Sequence, residues 1–188
     1  MLLNNRFLKI ASFTVVLLLV TSVAGQNLPA YAVHYNHPSF GNEVLTRYAD
    51  GLTINGKTFD ISQFSQISPS TQILPIAKSS TITLKIFDNA GPTTIRAVQL
   101  SLNIHNKHFS KSDTTIIYSL KNNAIYLTDP HQLLASVTAD YKIDQQYAYV
   151  TFYITPNGKM DTSSLIVSAM DDKRAVTNAR IIDAIQFS

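Results

Sequence analysis

The chain of 188 residues contains no cysteine and no tryptophan. The missing thiols exclude disulfide bonds, thiolate zinc sites, type 1 copper centres, iron–sulfur clusters and covalently attached haem. Glu43 is the only glutamate, and most aspartates lie at predicted turns, where their side chains cap the backbone. The chain has no Gly-x-Ser-x-Gly sequence and no glycine motif for binding phosphate. We therefore expect a protein that is not an enzyme and binds no organic cofactor.

Residues 1–32 have the pattern of an export signal. Arg6 and Lys9 precede an apolar run of 15 residues, Ile10–Ala24, and the small residues Ala30 and Ala32 suit a signal peptidase. A membrane-spanning helix needs roughly 20 apolar residues, so the run favours a cleaved signal peptide over an uncleaved anchor. We expect a mature chain that begins after residue 32. Its predicted location is extracellular, on the cell surface or in a pseudoperiplasm.

The predicted mature chain has almost no net charge. The whole sequence has 15 basic and 12 acidic residues, and loss of Arg6 and Lys9 with the signal leaves 13 against 12. No stripe of lysine and arginine of the kind that follows a phosphate backbone is present. We expect no nucleic acid partner. A membrane is expected to be contacted only through residues 10–24, if they are retained.

Most of the sequence after residue 50 has the two-residue alternation of β-strands. Leu52–Ile54 and Lys57–Ile61 flank Asn55-Gly56, a pair that favours the positive φ angles of a type I′ hairpin turn. In residues 80–86 and 98–104, apolar side chains alternate with polar ones, which places the apolar set on one face. The other predicted strands are Thr114–Tyr118, Ala124–Thr128, Val137–Ile143, Tyr147–Thr155, Ser164–Met170 and Val176–Phe187.

About nine short strands, with a turn roughly every 8–12 residues, predict an all-β protein. The favoured architecture is an antiparallel immunoglobulin-like β-sandwich over residues 51–188, and a closed barrel is the alternative. Residues 33–50 contain few apolar side chains and are predicted to form a flexible spacer. One short helix is expected to begin at Asp129-Pro130 and to run through Leu134, because Asp favours the N-cap and Pro the first helical position.

Three stretches carry a resemblance to a known group of proteins. They are Leu52–Ile61 (LTINGKTFDI), Ile82–Ile95 (ITLKIFDNAGPTTI) and Tyr149–Pro156 (YVTFYITP). The sequence resembles exported β-sandwich proteins of ammonia-oxidising archaea over most of residues 50–188. This resemblance implies an archaeal cell-surface or pseudoperiplasmic location. It implies no activity and no functional residue.

Histidine is the only side chain that suits a transition metal in this chain. It forms two pairs with a spacing of three, His34 with His37 and His105 with His108. Residues three apart on a strand point to opposite faces, so each pair chelates a metal only on a turn. Copper(II) favours nitrogen donors, and cleavage would add the α-amine of Val33. A copper or zinc site at these four histidines is one hypothesis, and solvated loop histidines are the other.

Tyr147, Tyr149 and Tyr153 share one face of a predicted strand whose other face is apolar. Tyrosine combines apolar area with a hydroxyl group and is enriched at protein interfaces. We predict that this face binds another protein. The alternative is that the tyrosines are covered within the sandwich or stabilise cross-strand pairs.

Three functions fit these features. The first is an exported, non-enzymatic envelope or cell-surface module that binds another envelope protein or packs in an assembly. The second is an exported protein that binds copper or zinc through its histidines. The third is a carbohydrate-binding module, which the absence of tryptophan makes a weaker hypothesis.

Overall fold

The computed structural model describes residues 37–41, 50–62, 66–104 and 113–188. The predicted export signal lies outside these residues, as does most of the predicted spacer. The described residues belong to one compact unit, Tyr35–Ser188. Within them, no helix has the length and apolar character needed to cross a membrane.

Strands dominate the part of the chain that the structure describes, and one 3₁₀ helix, Pro92–Thr94, accompanies them. The strands are β1 (Ser39–Phe40), β2 (Gly51–Ile54), β3 (Lys57–Asp60), β4 (Gln66–Ile67), β5 (Gln72–Leu74), β6 (Ser80–Phe87), β7 (Ile95–Ile104), β8 (Thr114–Ser119), β9 (Ala124–Thr128), β10 (Leu134–Asp144), β11 (Tyr147–Pro156), β12 (Met160–Asp171) and β13 (Val176–Phe187).

The strands form two sheets. The first sheet has the order β10-β11-β6-β2-β3, with β1 also paired to β6. The second has the order β4-β13-β12-β7-β8-β9, with β5 also paired to β13. All pairings are antiparallel except those of β4 and β5, which run parallel to β13. The prediction of an all-β sandwich is confirmed, and the alternative of a closed barrel is wrong because the two sheets are separate.

One hydrophobic core lies between the sheets. It contains Ile82, Leu84 and Ile86 from the first sheet, which are fully buried, as the alternation in residues 80–86 predicts. The second sheet contributes apolar residues such as Leu100 to the same cluster. Tyr118 of β8 and Phe152 of β11 meet edge to face across the layer, with their ring centroids 6.4 Å apart. The two sheets therefore share a single core.

The hairpin predicted at Asn55-Gly56 joins β2 and β3. Asn55 has a φ of 47° and Gly56 a φ of 83°, as a type I′ turn requires. The Asn55 carboxamide also holds the turn against β6: its oxygen accepts a bond from the Thr81 amide at 2.8 Å, and its nitrogen donates to Ser80 Oγ at 3.3 Å. This side chain fixes the position of the hairpin in the first sheet.

The strand count of about nine is too low, because β1, β4 and β5 have only two or three residues each. β1 lies inside the predicted spacer 33–50. It pairs with β6 and buries Phe40 to 3% exposure in the core, so this part of the segment belongs to the sandwich. A two-residue strand has no periodicity, and its partner strand determines its conformation.

The short helix predicted to begin at Asp129-Pro130 is wrong. The chain forms a turn there, and Gln132 has a φ of 51°, which no right-handed helix tolerates. The Asp129 carboxylate accepts bonds from Thr114 Oγ1 at 2.8 Å and from the Leu134 amide at 2.9 Å. Asp129 therefore caps a turn between two strands and does not begin a helix.

Candidate protein-binding surface

The outer face of the first sheet carries the three tyrosines that the sequence singles out. Along β11, alternate residues such as Phe152 are buried, while Tyr147, Tyr149 and Tyr153 point away from the core. We call this surface the tyrosine face. It comprises the three tyrosines, Lys85 and Phe87 of β6, and Asp140 and Lys142 of β10.

Neighbouring side chains hold the tyrosine rings in place. Phe87 and Tyr147 lie with their centroids 6.0 Å apart, and Tyr147 and Tyr149 lie 6.5 Å apart. Lys85 Nζ is 4.1 Å from the centroid of Tyr147, and Lys142 Nζ is 5.3 Å from that of Tyr149. These are cation–π distances. The predicted alternative of cross-strand pairing is therefore part of the structure, and Tyr147 and Tyr149 are half-buried by it.

Tyr153 is the most exposed of the three tyrosines, at 37%. Its hydroxyl group donates to Asp140 Oδ2 at 3.2 Å. The negative charge of Asp140 raises the pKa of Tyr153, and partial desolvation and the hydrogen bond act in the same direction. The hydroxyl group therefore stays protonated near neutral pH and presents a polar group at the surface.

Lys85 links the tyrosine face to the rest of the sheet. Its Nζ lies 2.7 Å from Asp50 Oδ2, and both side chains are largely shielded from solvent. The ion pair and the contact with the Tyr147 ring together restrict the motion of the Lys85 side chain. Because Lys85 faces Tyr149 in the strand register, it also limits the space around the second tyrosine.

A row of four threonines crosses the first sheet beside the tyrosines, and sequence reasoning missed it. The register places Thr151, Thr83, Thr53 and Thr58 on four neighbouring strands. The hydroxyl oxygens of Thr83 and Thr151 are 3.0 Å apart, and those of Thr53 and Thr58 are 3.2 Å apart. The alternate threonines of β6 were visible in the sequence, but the pairing that aligns the row depends on the register of distant strands.

The histidines give no assembled metal site among the described residues. His37 is exposed, and its Nδ1 lies 3.1 Å from the carbonyl oxygen of Pro38. His34, His105 and His108 lie outside the described residues. Within those residues, no group of three or more His, Cys, Asp or Glu side chains could hold a metal ion. The copper or zinc hypothesis stays a prediction.

Aspartate carboxylates at the turns accept hydrogen bonds from backbone and side-chain groups of the same turn. Asp88 accepts from the Ala90 amide at 2.9 Å and from Thr94 Oγ1 at 2.8 Å. Asp171 accepts from the amides of Lys173 and Ala175 at 2.9 and 2.8 Å. These bonds agree with the prediction that such carboxylates are structural.

The outer face of the second sheet has a different chemistry. It contains a shallow depression of about 320 Å³ lined by apolar and uncharged polar side chains. Ala97, Met170 and Val176 follow one another across three strands there, and Val176 is 46% exposed. Sequence reasoning did not single out this surface. Its apolar side chains come from three strands, so no single stretch of the sequence shows them together.

Comparisons with known proteins assign the chain to no family. No protein-family model matches the chain, and no curated protein matches it. A solved structure from a study of multimeric cell-adhesive interactions of VGSC beta subunits is 10% identical, with a TM-score of 0.39, over 69% of this chain and 98% of that one. A DUF4466 family protein from Parabacteroides merdae is 9% identical, with a TM-score of 0.31. That alignment covers 75% of this chain and 46% of the DUF4466 protein. At these TM-scores neither likeness carries an argument about function.

Proposed function

We propose that this chain is a non-enzymatic binding module of the cell envelope that contacts another protein through the tyrosine face. The observation that carries the proposal is the outward row of Tyr147, Tyr149 and Tyr153 on β11. Among the described residues, no further layer of secondary structure packs on this side of the first sheet. The row is therefore a surface of the described unit and not a second core.

The composition of the tyrosine face suits a protein partner. Aromatic rings supply apolar area, and their hydroxyl groups, together with the threonine row, supply hydrogen-bonding groups. Lys85 and Lys142 already hold two of the rings, so little side-chain entropy is lost when a partner packs against them. A surface that is ordered before contact binds more tightly than a mobile one of equal area.

The cellular location is a prediction from the sequence, and it guides the choice of partner. The apolar segment and small residues of 1–32 predict export, and the resemblance to archaeal exported proteins implies a cell-surface or pseudoperiplasmic place. The partner is then another envelope protein.

Capture from envelope membranes tests the proposal. The full chain with an affinity tag is compared with Tyr149→Ser/Tyr153→Ser, which removes two rings and leaves the core unchanged. We expect the captured partner to bind the double variant at least about tenfold more weakly, as truncation of central interface tyrosines does. The matched control is Tyr126→Ser on β9, whose side chain is 54% exposed on the second sheet. Equal capture by all three chains would contradict the proposal.

A further inference from the structure

β10 is an edge strand of the first sheet and is longer than β3 at the opposite edge. Within the described residues, only β11 pairs with it. The pairing is regular from Ser136 to Asp144 and irregular between Leu134 and Ser136. Nine consecutive residues, 136–144, therefore present one free edge with regular strand geometry.

The inward side chains of this edge are apolar and incompletely covered. Among the devices that protect edge strands, residues 136–144 have no proline and no inward-pointing charge: their charged side chains, Asp140, Lys142 and Asp144, point outward, and Val137, Ala139, Tyr141 and Ile143 point inward. Tyr141 is 44% exposed and Ile143 is 43% exposed, although both face the layer between the sheets. Both also line a depression of about 420 Å³ at this side of the sandwich. The sandwich is open along β10.

Two copies of an edge strand can pair antiparallel about a two-fold axis that passes through one residue. Residues opposite each other then point to the same face, so outward side chains meet outward side chains. An axis at Asp140 would place two aspartates opposite each other. An axis at Lys142 would oppose two lysines and would also place Asp140 opposite Asp144. Both registers are disfavoured, because like charges directly opposite destabilise a sheet.

Axes at Ala139 and at Tyr141 each leave seven residue pairs within 136–144. The Ala139 register brings no opposite charges together. The Tyr141 register places Asp140 of each copy opposite Lys142 of the other, which gives two complementary pairs. It also brings the half-exposed rings of Tyr141 together and sets Ile143 against Ala139 of the second copy. Charge complementarity therefore selects one register.

We propose that a second copy of this chain docks on β10 by antiparallel strand pairing, with Tyr141 on the two-fold axis and Asp140 opposite Lys142 of the second copy. The two first sheets become one continuous sheet. The pairing covers the apolar side chains of β10 and engages Asp140 and Lys142, the two residues of β10 in the tyrosine face, while Tyr147, Tyr149 and Tyr153 on β11 stay open to solvent. The inference goes beyond the proposed function, because it involves no other protein.

Cysteine substitutions, introduced one at a time in the full chain, locate the proposed two-fold axis, because the natural sequence has no cysteine. Directly opposite residues of an antiparallel pair have Cα atoms about 4.5–5.5 Å apart, which suits a disulfide bond. We expect Tyr141→Cys to give a covalent dimer on mild oxidation, and at least about tenfold faster than the matched variants Ile143→Cys and Ala139→Cys, whose thiols lie offset from each other. A faster reaction of either matched variant, or no covalent dimer of Tyr141→Cys, would overturn the proposal.

Charge reversal in the Tyr141→Cys background gives a second readout that does not depend on how well one variant folds. Asp140→Lys opposes lysine to lysine, and Lys142→Asp opposes aspartate to aspartate, so each chain alone should cross-link at least about tenfold more slowly. An equal mixture of the two should recover the cross-linking rate, because the two lysines of one chain then lie opposite two aspartates of the other.

The double change Asp140→Lys/Lys142→Asp should likewise restore the rate. Asp161→Lys, an exposed charge reversal on β12, should leave it unchanged. Single reversals without effect, or a mixture that stays as slow as its components, would contradict the register. Because purified chain alone is used, failure of this test leaves the proposal about the tyrosine face intact.

Discussion

Tyr118 contacts both sheets and also closes a turn. Its ring lies against Phe152 of the other sheet, and its hydroxyl group donates to Asn123 Oδ1 at 2.7 Å. Burial raises the pKa of Tyr118, and the charges of Tyr141 and Asp140 act in the same direction. The pKa of Tyr118 is therefore higher in the folded state than in the unfolded chain. Its protonated hydroxyl group contributes its full stabilisation at pH values below about 10, the ordinary pKa of tyrosine. This stabilisation is lost as the pH rises through the folded-state pKa.

We expect Tyr118→Phe to lower the free energy of unfolding by about 1 kcal/mol at pH 7, because the hydrogen bond is lost while the ring packing is kept. The same change should reduce the loss of stability between about pH 9 and pH 12, because a titrating group is removed. Urea unfolding at a series of pH values measures both effects. Tyr126→Phe is the control for removing a tyrosine hydroxyl group at an exposed side chain. A parallel pH profile for Tyr118→Phe and the native chain would refute the explanation.

Single residues also show where the candidate site was predictable. Tyr147, Tyr149 and Tyr153 point outward because side chains alternate along a strand, and that alternation is a local property of the sequence. The lysines above their rings were not predictable. Lys85 and Lys142 reach Tyr147 and Tyr149 only because β6 and β10 flank β11, and strand order is set by the whole fold.

Among the structural elements, the hairpin of β2 and β3 depends most directly on its turn residues. Gly56 has a φ of 83° and an added Cβ there would meet nothing within 4 Å. We expect Gly56→Ala to cost about 1–2 kcal/mol, solely through the left-handed backbone conformation. Gly158→Ala is a matched control, since an added Cβ is equally free there and its φ lies outside that region. Thermal unfolding should show a clear loss for the first variant and almost none for the second; equal losses would mean that φ is not the cause.

The elements that the sequence predicted well are the long, regular strands. β6 and β11 alternate over eight or more residues and β7 over the seven residues 98–104, so their inward faces follow from period two alone. The short strands β1, β4 and β5 lack that signal and exist because each pairs with a stretch of β6 or β13 that the longer strands leave unpaired. The turn at Asp129 was misread because the same residues cap helices and turns, and only the partner Thr114 distinguishes them.

The described unit has one core that both sheets share, so we expect this unit to unfold in one transition. Leu84 of the first sheet and Leu100 of the second are both fully buried in the same cluster. Either Leu84→Ala or Leu100→Ala should cost about 2–5 kcal/mol. Each should speed amide hydrogen exchange in the slowest-exchanging strands of both sheets by the same factor, since those amides exchange through global unfolding. Faster exchange confined to the mutated sheet would show that the sheets unfold separately.

The position of β13 inside the second sheet has a consequence for the timing of folding. β13 lies between β12 and the short parallel strands β4 and β5, and Thr71 Oγ1 donates to the carbonyl of Asp183 across 112 residues of sequence. The second sheet therefore lacks the strand that joins β12 to β4 and β5 until the stretch near residue 187 is available. A chain that emerges gradually, from a ribosome or through a translocation channel, cannot close this core early. Folding of the second sheet is therefore completed only when β13, the last of its strands in chain order, has emerged, however early the other strands are available.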